Sequence, residues 1–166
     1  MLSVVKLALS FVPNVELVST LVVLYALIYD RRDAIIVSVL FVLVEVLIYG
    51  LVWYWVVLYL IYWPMLAFSV SLIPQVKYRV WIAVGIAIVF TLLFGVLSSI
   101  IEVAMVYSIV DFERFWYLVY IRYLSGIYFF VIHIVSNAIV LPTLVPILYK
   151  MSKRYTKSVS YQHGVE

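Results

Sequence analysis

Four ionisable side chains fall inside or at the edge of long apolar runs: Glu16, Glu45, Glu102 and His133. Asn14, Asn137, Ser98, Ser99 and Ser136 accompany them. A carboxylate at the centre of a bilayer costs roughly 3 kcal/mol on insertion scales, so such residues face a cavity or a partner rather than lipid. Asn137 follows His133 by four residues, which places both on one face of a helix. Together these groups could hydrogen-bond a polar ligand or move a proton. Each also has a structural reading. Glu16 can stabilise a helix start, where the dipole favours an anion. Glu102 with Ser98 and Ser99, and His133 with Asn137, can hydrogen-bond between helices.

The elements that position them follow from composition. The 166 residues are 68% hydrophobic and 11% charged, with a mean hydropathy of +1.22. Soluble domains are about half apolar and about a quarter charged, so a soluble single-domain enzyme and a disordered chain are both excluded. This length has room for about five or six membrane helices of ~20 residues and no soluble catalytic domain beside them. The net charge of +3 is small and scattered, so nucleic acid is not an expected partner. The chain has no cysteine, hence no disulfide, thiolate ligand or thiol nucleophile. G-x-x-x-x-G-K-[ST], H-E-x-x-H and C-x-x-C are all absent. The chain therefore does not hydrolyse ATP itself, and neither a metal nor a cofactor is expected. Glu102 and His133 could contribute to a metal site, but two candidate ligands at unknown separation are weak evidence for one.

Charge clusters, proline and glycine divide the chain, because periodicity carries little signal where nearly every residue is apolar. Apolar runs cover about 1–12, 15–29, 34–49, 53–73, 80–110 and 126–149, followed by a basic tail over 151–166. Pro13-Asn14, Asp30 to Asp33, Gly50, Pro74 to Arg79 and Asp111 to Ser125 read as the connections. Pro64 is an expected kink. A membrane barrel alternates apolar and polar residues along each strand, and these runs do not. The expectation is an all-α integral membrane bundle of six helices. The first run covers about 18 Å of a ~30 Å core, so upstream residues are expected to be missing. It lacks a small-x-small site and does not read as a cleaved signal peptide.

Placing both termini in the cytoplasm puts Lys6, Arg31, Arg32, Lys77, Arg79, Lys150, Lys153, Arg154 and Lys157 inside, against Arg114 and Arg122 outside. Basic residues concentrate on the cytoplasmic side, so a multi-pass membrane protein in this orientation is expected. All four ionisable groups then lie in the outer half. Trp53 and Tyr54 belong to an aromatic cluster on the same side. The expected site is one outward cavity lined by Asn14, Glu16, Glu45, Glu102, His133 and Asn137, with Trp53 and Tyr54 at its mouth.

Phe11-Val12-Pro13-Asn14-Val15-Glu16-Leu17-Val18-Ser19 resembles the F-I-P-N-V-[EQ]-P-V-T signature of substrate-binding S components of energy-coupling factor (ECF) transporters. His133-Ile134-Val135-Ser136-Asn137-Ala138, with Pro142 and a basic tail, is similar to the last helix of that family. Leu17 stands where proline is usual and Ser19 where threonine is usual. The resemblance implies a subunit that captures a vitamin or similar small organic micronutrient. It implies as partners a membrane coupling subunit and two cytoplasmic ATPases, which energise uptake. Leu2 after Met1 differs from the Met-His start of nickel and cobalt types. The alternative reading is a small membrane-embedded enzyme or assembly factor using Glu45, Glu102 and His133 as acid–base groups. A ligand-free structural subunit is a third.

Overall fold

A computed structural model describes residues 17–107 and 111–162, with side chains described as far as 155 in the last helix. Five helices follow one another among the described residues: α1 Val18–Ile28, α2 Arg31–Tyr49, α3 Trp53–Ser71, α4 Arg79–Val106 and α5 Phe112–Gln162. The expected first helix, 1–12, lies outside the described residues. The next four expected runs match α1 to α4 closely. Gly50 ends α2 at φ +83°, and its N–H donates to the Val46 carbonyl. That left-handed backbone conformation favours glycine, as the sequence break there suggests.

The expectation for the last third is corrected. The stretch from 111 to 125 was expected as an outer connection and 151–166 as a tail, yet α5 is one helix of 51 residues. Ser125-Gly126 does not break it, since a single glycine costs only ~1 kcal/mol in a helix. Pro142 and Pro146 lie inside α5 as well, and Pro64 lies inside α3. Neighbouring helices and hydroxyls can satisfy the backbone groups that such prolines free.

Burial shows one inner stripe per helix. On α2 it is Ala34, Ser38, Phe41, Val42 and Glu45. On α3 it is Leu58, Tyr59, Tyr62, Trp63, Leu66, Ala67 and Val70. On α4 small residues recur every four positions: Ala83, Ala87, Thr91, Gly95 and Ser99, all buried. On α5, His133, Asn137, Leu141 and Val145 repeat at the same spacing. Small side chains let helix backbones approach closely. Correspondingly, α4 and α5 pack together more extensively than any other pair.

The remaining faces are apolar and open. Leu47, Met65, Leu93, Val135 and Ile139 are all exposed. Three helices, α3, α4 and the 112–155 part of α5, are long and apolar enough to cross a membrane. In the most apolar 18-residue stretch of α5 only 22% is buried, so its hydropathy is spent mainly on the outer surface. Such a surface is compatible with lipid as the solvent.

The shortest helix is the central one. Among the described residues α1 packs against all four others, whereas α2 touches neither α4 nor α5. Eleven residues reach about 16 Å, half of a bilayer core. Its buried side chains include Val18, Ser19, Thr20, Val22 and Val23.

Candidate functional site

A polar centre forms where α1, α4 and α5 meet. The α4 stripe of small residues brings α5 close enough for its own inner stripe to reach across. Asn137, 1% exposed, directs its amide Nδ2 to Thr91 Oγ1 at 3.0 Å. The same nitrogen is 3.4 Å from Ser19 Oγ on α1 and 3.4 Å from His133 Nε2, one turn earlier on α5. Thr91 donates its own proton to the Ala87 carbonyl at 2.8 Å, which leaves its oxygen lone pairs facing Asn137. One amide thus ties three helices together.

The other end of that amide is unused. Asn137 Oδ1 has no hydrogen-bond partner among the described residues. Thr20 Oγ1, Ser136 Oγ and Trp63 Nε1 are likewise buried without one. A buried acceptor without a donor costs about 1–3 kcal/mol, so several such groups in one small bundle need an explanation. A bound molecule that brings its own donors and acceptors supplies one.

Aromatic rings lead from this centre to the start of α3. Phe94 lies 5.1 Å from the His133 ring, and Tyr62 packs edge-on to Phe94 at 5.0 Å. Tyr62 meets Trp63 at 4.7 Å, Trp63 meets Tyr59 at 5.9 Å, and Tyr59 meets Trp55 at 5.6 Å. Tyr54 follows at 5.8 Å. Tyr59, Tyr62 and Trp63 are buried, while Trp55 and Trp53 are exposed. Ring faces and edges of this kind stack on flat organic groups.

The expected site residues are distributed over this frame as follows. His133 and Asn137 come together in the polar centre. Glu102 is paired with Arg122 across α4 and α5. It lies eleven residues beyond Thr91 on α4, about 16 Å along the helix axis. Its charge is therefore answered at a different level. Glu45 is buried on the inner stripe of α2, a helix that does not pack against α4 or α5 among the described residues. Trp53 is exposed at the first turn of α3 and Tyr54 is half-buried beside it. Asn14 and Glu16 lie outside the described residues. No group of three His, Asp or Glu side chains suited to a metal ion occurs among the described residues.

Thr91, Tyr62 and Trp63 escaped the sequence reading, and Ser19 entered it only as the last residue of the Phe11 to Ser19 segment. Thr91 looked like an ordinary small polar residue in an apolar run. Tyr62 and Trp63 were indistinguishable from interfacial aromatics. The four-residue repeat of small side chains from Ala83 to Ser99 was the available signal for Thr91. It marks the inner face of α4, and Thr91 is its middle member. No known protein family, curated protein or solved structure matches this chain.

Proposed function

We propose that the chain is the membrane-embedded substrate-binding subunit of an ECF-type uptake system. Its substrate is a vitamin or similar small organic micronutrient, and the energy comes from ATPases on other chains. One observation carries the reading. The two segments that resemble the S-component signatures lie 114 residues apart in sequence, from Ser19 to His133, yet their members converge. Ser19 closes the first segment, and its hydroxyl is 3.4 Å from Asn137 of the second. The last residue of one segment and His133 and Asn137 of the other thus meet at one buried polar centre that carries an unused carbonyl acceptor.

The chemistry of the centre supports binding. It offers a carboxamide oxygen, an imidazole and hydroxyls, flanked by the rings of Phe94, Tyr62 and Trp63. A planar heterocycle with its own N–H groups would pair with the first set and stack on the second. The absent phosphate-binding loop accords with ATP hydrolysis by partners. The three helices long and apolar enough to cross a membrane accord with a membrane-embedded subunit; its multi-pass arrangement in the cell membrane with both termini inside rests on the distribution of Lys and Arg along the chain.

The test is uptake of radiolabelled B vitamins in a bacterial host that supplies a coupling subunit and its two ATPases. The chain should confer uptake of one vitamin, abolished by a Walker-motif substitution in the partner ATPases. Binding to the isolated chain should be indifferent to ATP. Accumulation by this chain alone, driven by a proton gradient, would overturn the proposal and recast Glu45 or Glu102 as a proton-coupling group.

A further inference from the structure

At the end of the bundle remote from Glu102 and Arg122, the chain folds around a cleft of ≈ 860 Å³. Arg31, Arg32, Arg79 and Lys153 line it, with Asp30 as its one acidic neighbour. The chemistry centres on Arg79. It is 8% exposed, and its single protein hydrogen bond among the described residues runs from Nη1 to the Leu27 carbonyl at 3.1 Å. That carbonyl belongs to the last turn of α1, whose dipole favours a cation. The bond satisfies one donor of five and no full charge. Arg79 Nε is buried without a partner, and no carboxylate pairs with the guanidinium among the described residues. A buried guanidinium in that condition is costly unless an anion answers it.

Four further features point the same way. The first turn of α2 opens on the cleft through Arg31 and Arg32. Its N-cap, Asp30, makes no side-chain cap bond, so the free N–H groups there remain available to an anion. Arg32 and Lys153 are exposed, and neither has a carboxylate partner among the described residues. The rest of the lining is mostly apolar, with Ile28, Ile35, Ile36 and Ile73, beside the polar Ser71 and Gln75. Finally, Tyr29 lines the cleft and is exposed, and Tyr78, next to Arg79 in the chain, is exposed as well. Such aromatic residues mark headgroup depth in membrane proteins.

We propose that this cleft holds the phosphate of an anionic phospholipid, with Arg79 at its buried back and Arg32 and Lys153 at its rim. The cations and the α2 N-terminus take the phosphodiester oxygens, and the isoleucines take the start of an acyl chain. Basic pockets between membrane helices recognise headgroups by this chemistry. A free phosphate shares the oxyanion chemistry but has no use for the apolar half of the cleft. The inference rests on the membrane reading alone and does not depend on substrate uptake.

The test is native mass spectrometry of the full chain in mild detergent. It is titrated separately with dioleoyl-phosphatidylglycerol, dioleoyl-phosphatidylcholine and inorganic phosphate. Phosphatidylglycerol should bind about tenfold or more tighter than phosphatidylcholine, the scale set by a few basic residues near a headgroup. Arg79→Gln should remove that preference. Because Arg79 also holds the Leu27 carbonyl, the exposed pair Arg32→Gln and Lys153→Gln serves as the second variant and should reduce it by about tenfold. Arg114→Gln, at the far end of α5, should leave it unchanged. Equal binding of the two lipids, or a preference unmoved by the Arg32/Lys153 pair, would overturn the proposal. So would inorganic phosphate binding as tightly as phosphatidylglycerol, which would assign the cleft to a soluble anion.

Discussion

Replacing Asn137 by leucine separates a structural asparagine from one kept for a ligand. The substitution keeps the branched outline of the side chain, adds methyl volume and removes both ends of the amide. At the nitrogen end the chain loses one well-formed bond, to Thr91 at 3.0 Å. It also loses two long contacts, to Ser19 and His133, at 3.4 Å each. Interhelical hydrogen bonds in membrane proteins average about 0.6 kcal/mol, so the loss is about 1 kcal/mol. At the oxygen end the chain is relieved of a buried acceptor without a donor, which returns about 1–3 kcal/mol. Leucine is bulkier than asparagine, and fitting its methyl groups takes back a similar amount, so the stability of the ligand-free protein should change by less than about 2 kcal/mol. Binding of the vitamin should fall by about tenfold to a hundredfold, because the ligand's donor then meets a methyl group. Denaturant unfolding followed by tryptophan fluorescence reads the first effect, and equilibrium dialysis of the radiolabelled vitamin reads the second. A loss of more than about 2 kcal/mol of stability with unchanged binding would refute the reasoning, since it would make Asn137 a structural tie.

Three other outcomes follow from the geometry. A β-carbon at Gly95 would lie 2.7 Å from Phe130 Cδ2, so Gly95→Ala should destabilise the α4–α5 contact by about 1–3 kcal/mol, and Phe130→Leu should recover part of the loss in the same unfolding assay. Glu102→Gln and Arg122→Gln should show a coupling of about 1 kcal/mol in a double-mutant cycle, because the pair is only partly buried; additive effects would mean that the pair contributes nothing. Since the chain has no cysteine, a lone cysteine replacing Ser158 should react with a membrane-impermeant maleimide only after permeabilisation, and labelling of intact cells would reverse the topology.

Much of the frame was legible in the residues. The end of α1, the bounds of α2 and α3 and the start of α4 follow from Asp30-Arg31-Arg32-Asp33, Gly50 and Pro74 to Arg79, where charge or backbone chemistry interrupts the apolar runs. The extent of α5 was not, because an aromatic stretch with scattered charge, such as Phe112 to Ser125, reads as an interfacial connection. In the fold that stretch is helical and carries Arg122 to Glu102, so the same misreading concealed the ion pair. Which side of each helix faces inward was also hidden. In a chain this apolar, lipid-facing and protein-facing positions are both hydrophobic, and the inner face is written in size instead of polarity. Gly95 and Ser99 gave a fragment of that code, and the full series from Ala83 onward places Thr91 opposite Asn137. His133 and Asn137 were legible because an imidazole and an amide four residues apart in an apolar run have few uses. Glu45 and Glu102 were equally conspicuous, but their depth along the chain did not reveal that α2 and α4 are not neighbours.

The central claim is that the buried centre around Asn137 receives a small organic molecule. The most direct measurement is mass spectrometry of the intact wild-type chain purified in mild detergent from a host grown on rich medium, followed by identification of whatever it releases on denaturation. The account predicts one organic adduct per chain, carrying hydrogen-bond donors on a flat ring, and its loss in Asn137→Leu. A wild-type chain that carries no such adduct, or an adduct retained in full by Asn137→Leu, would contradict it.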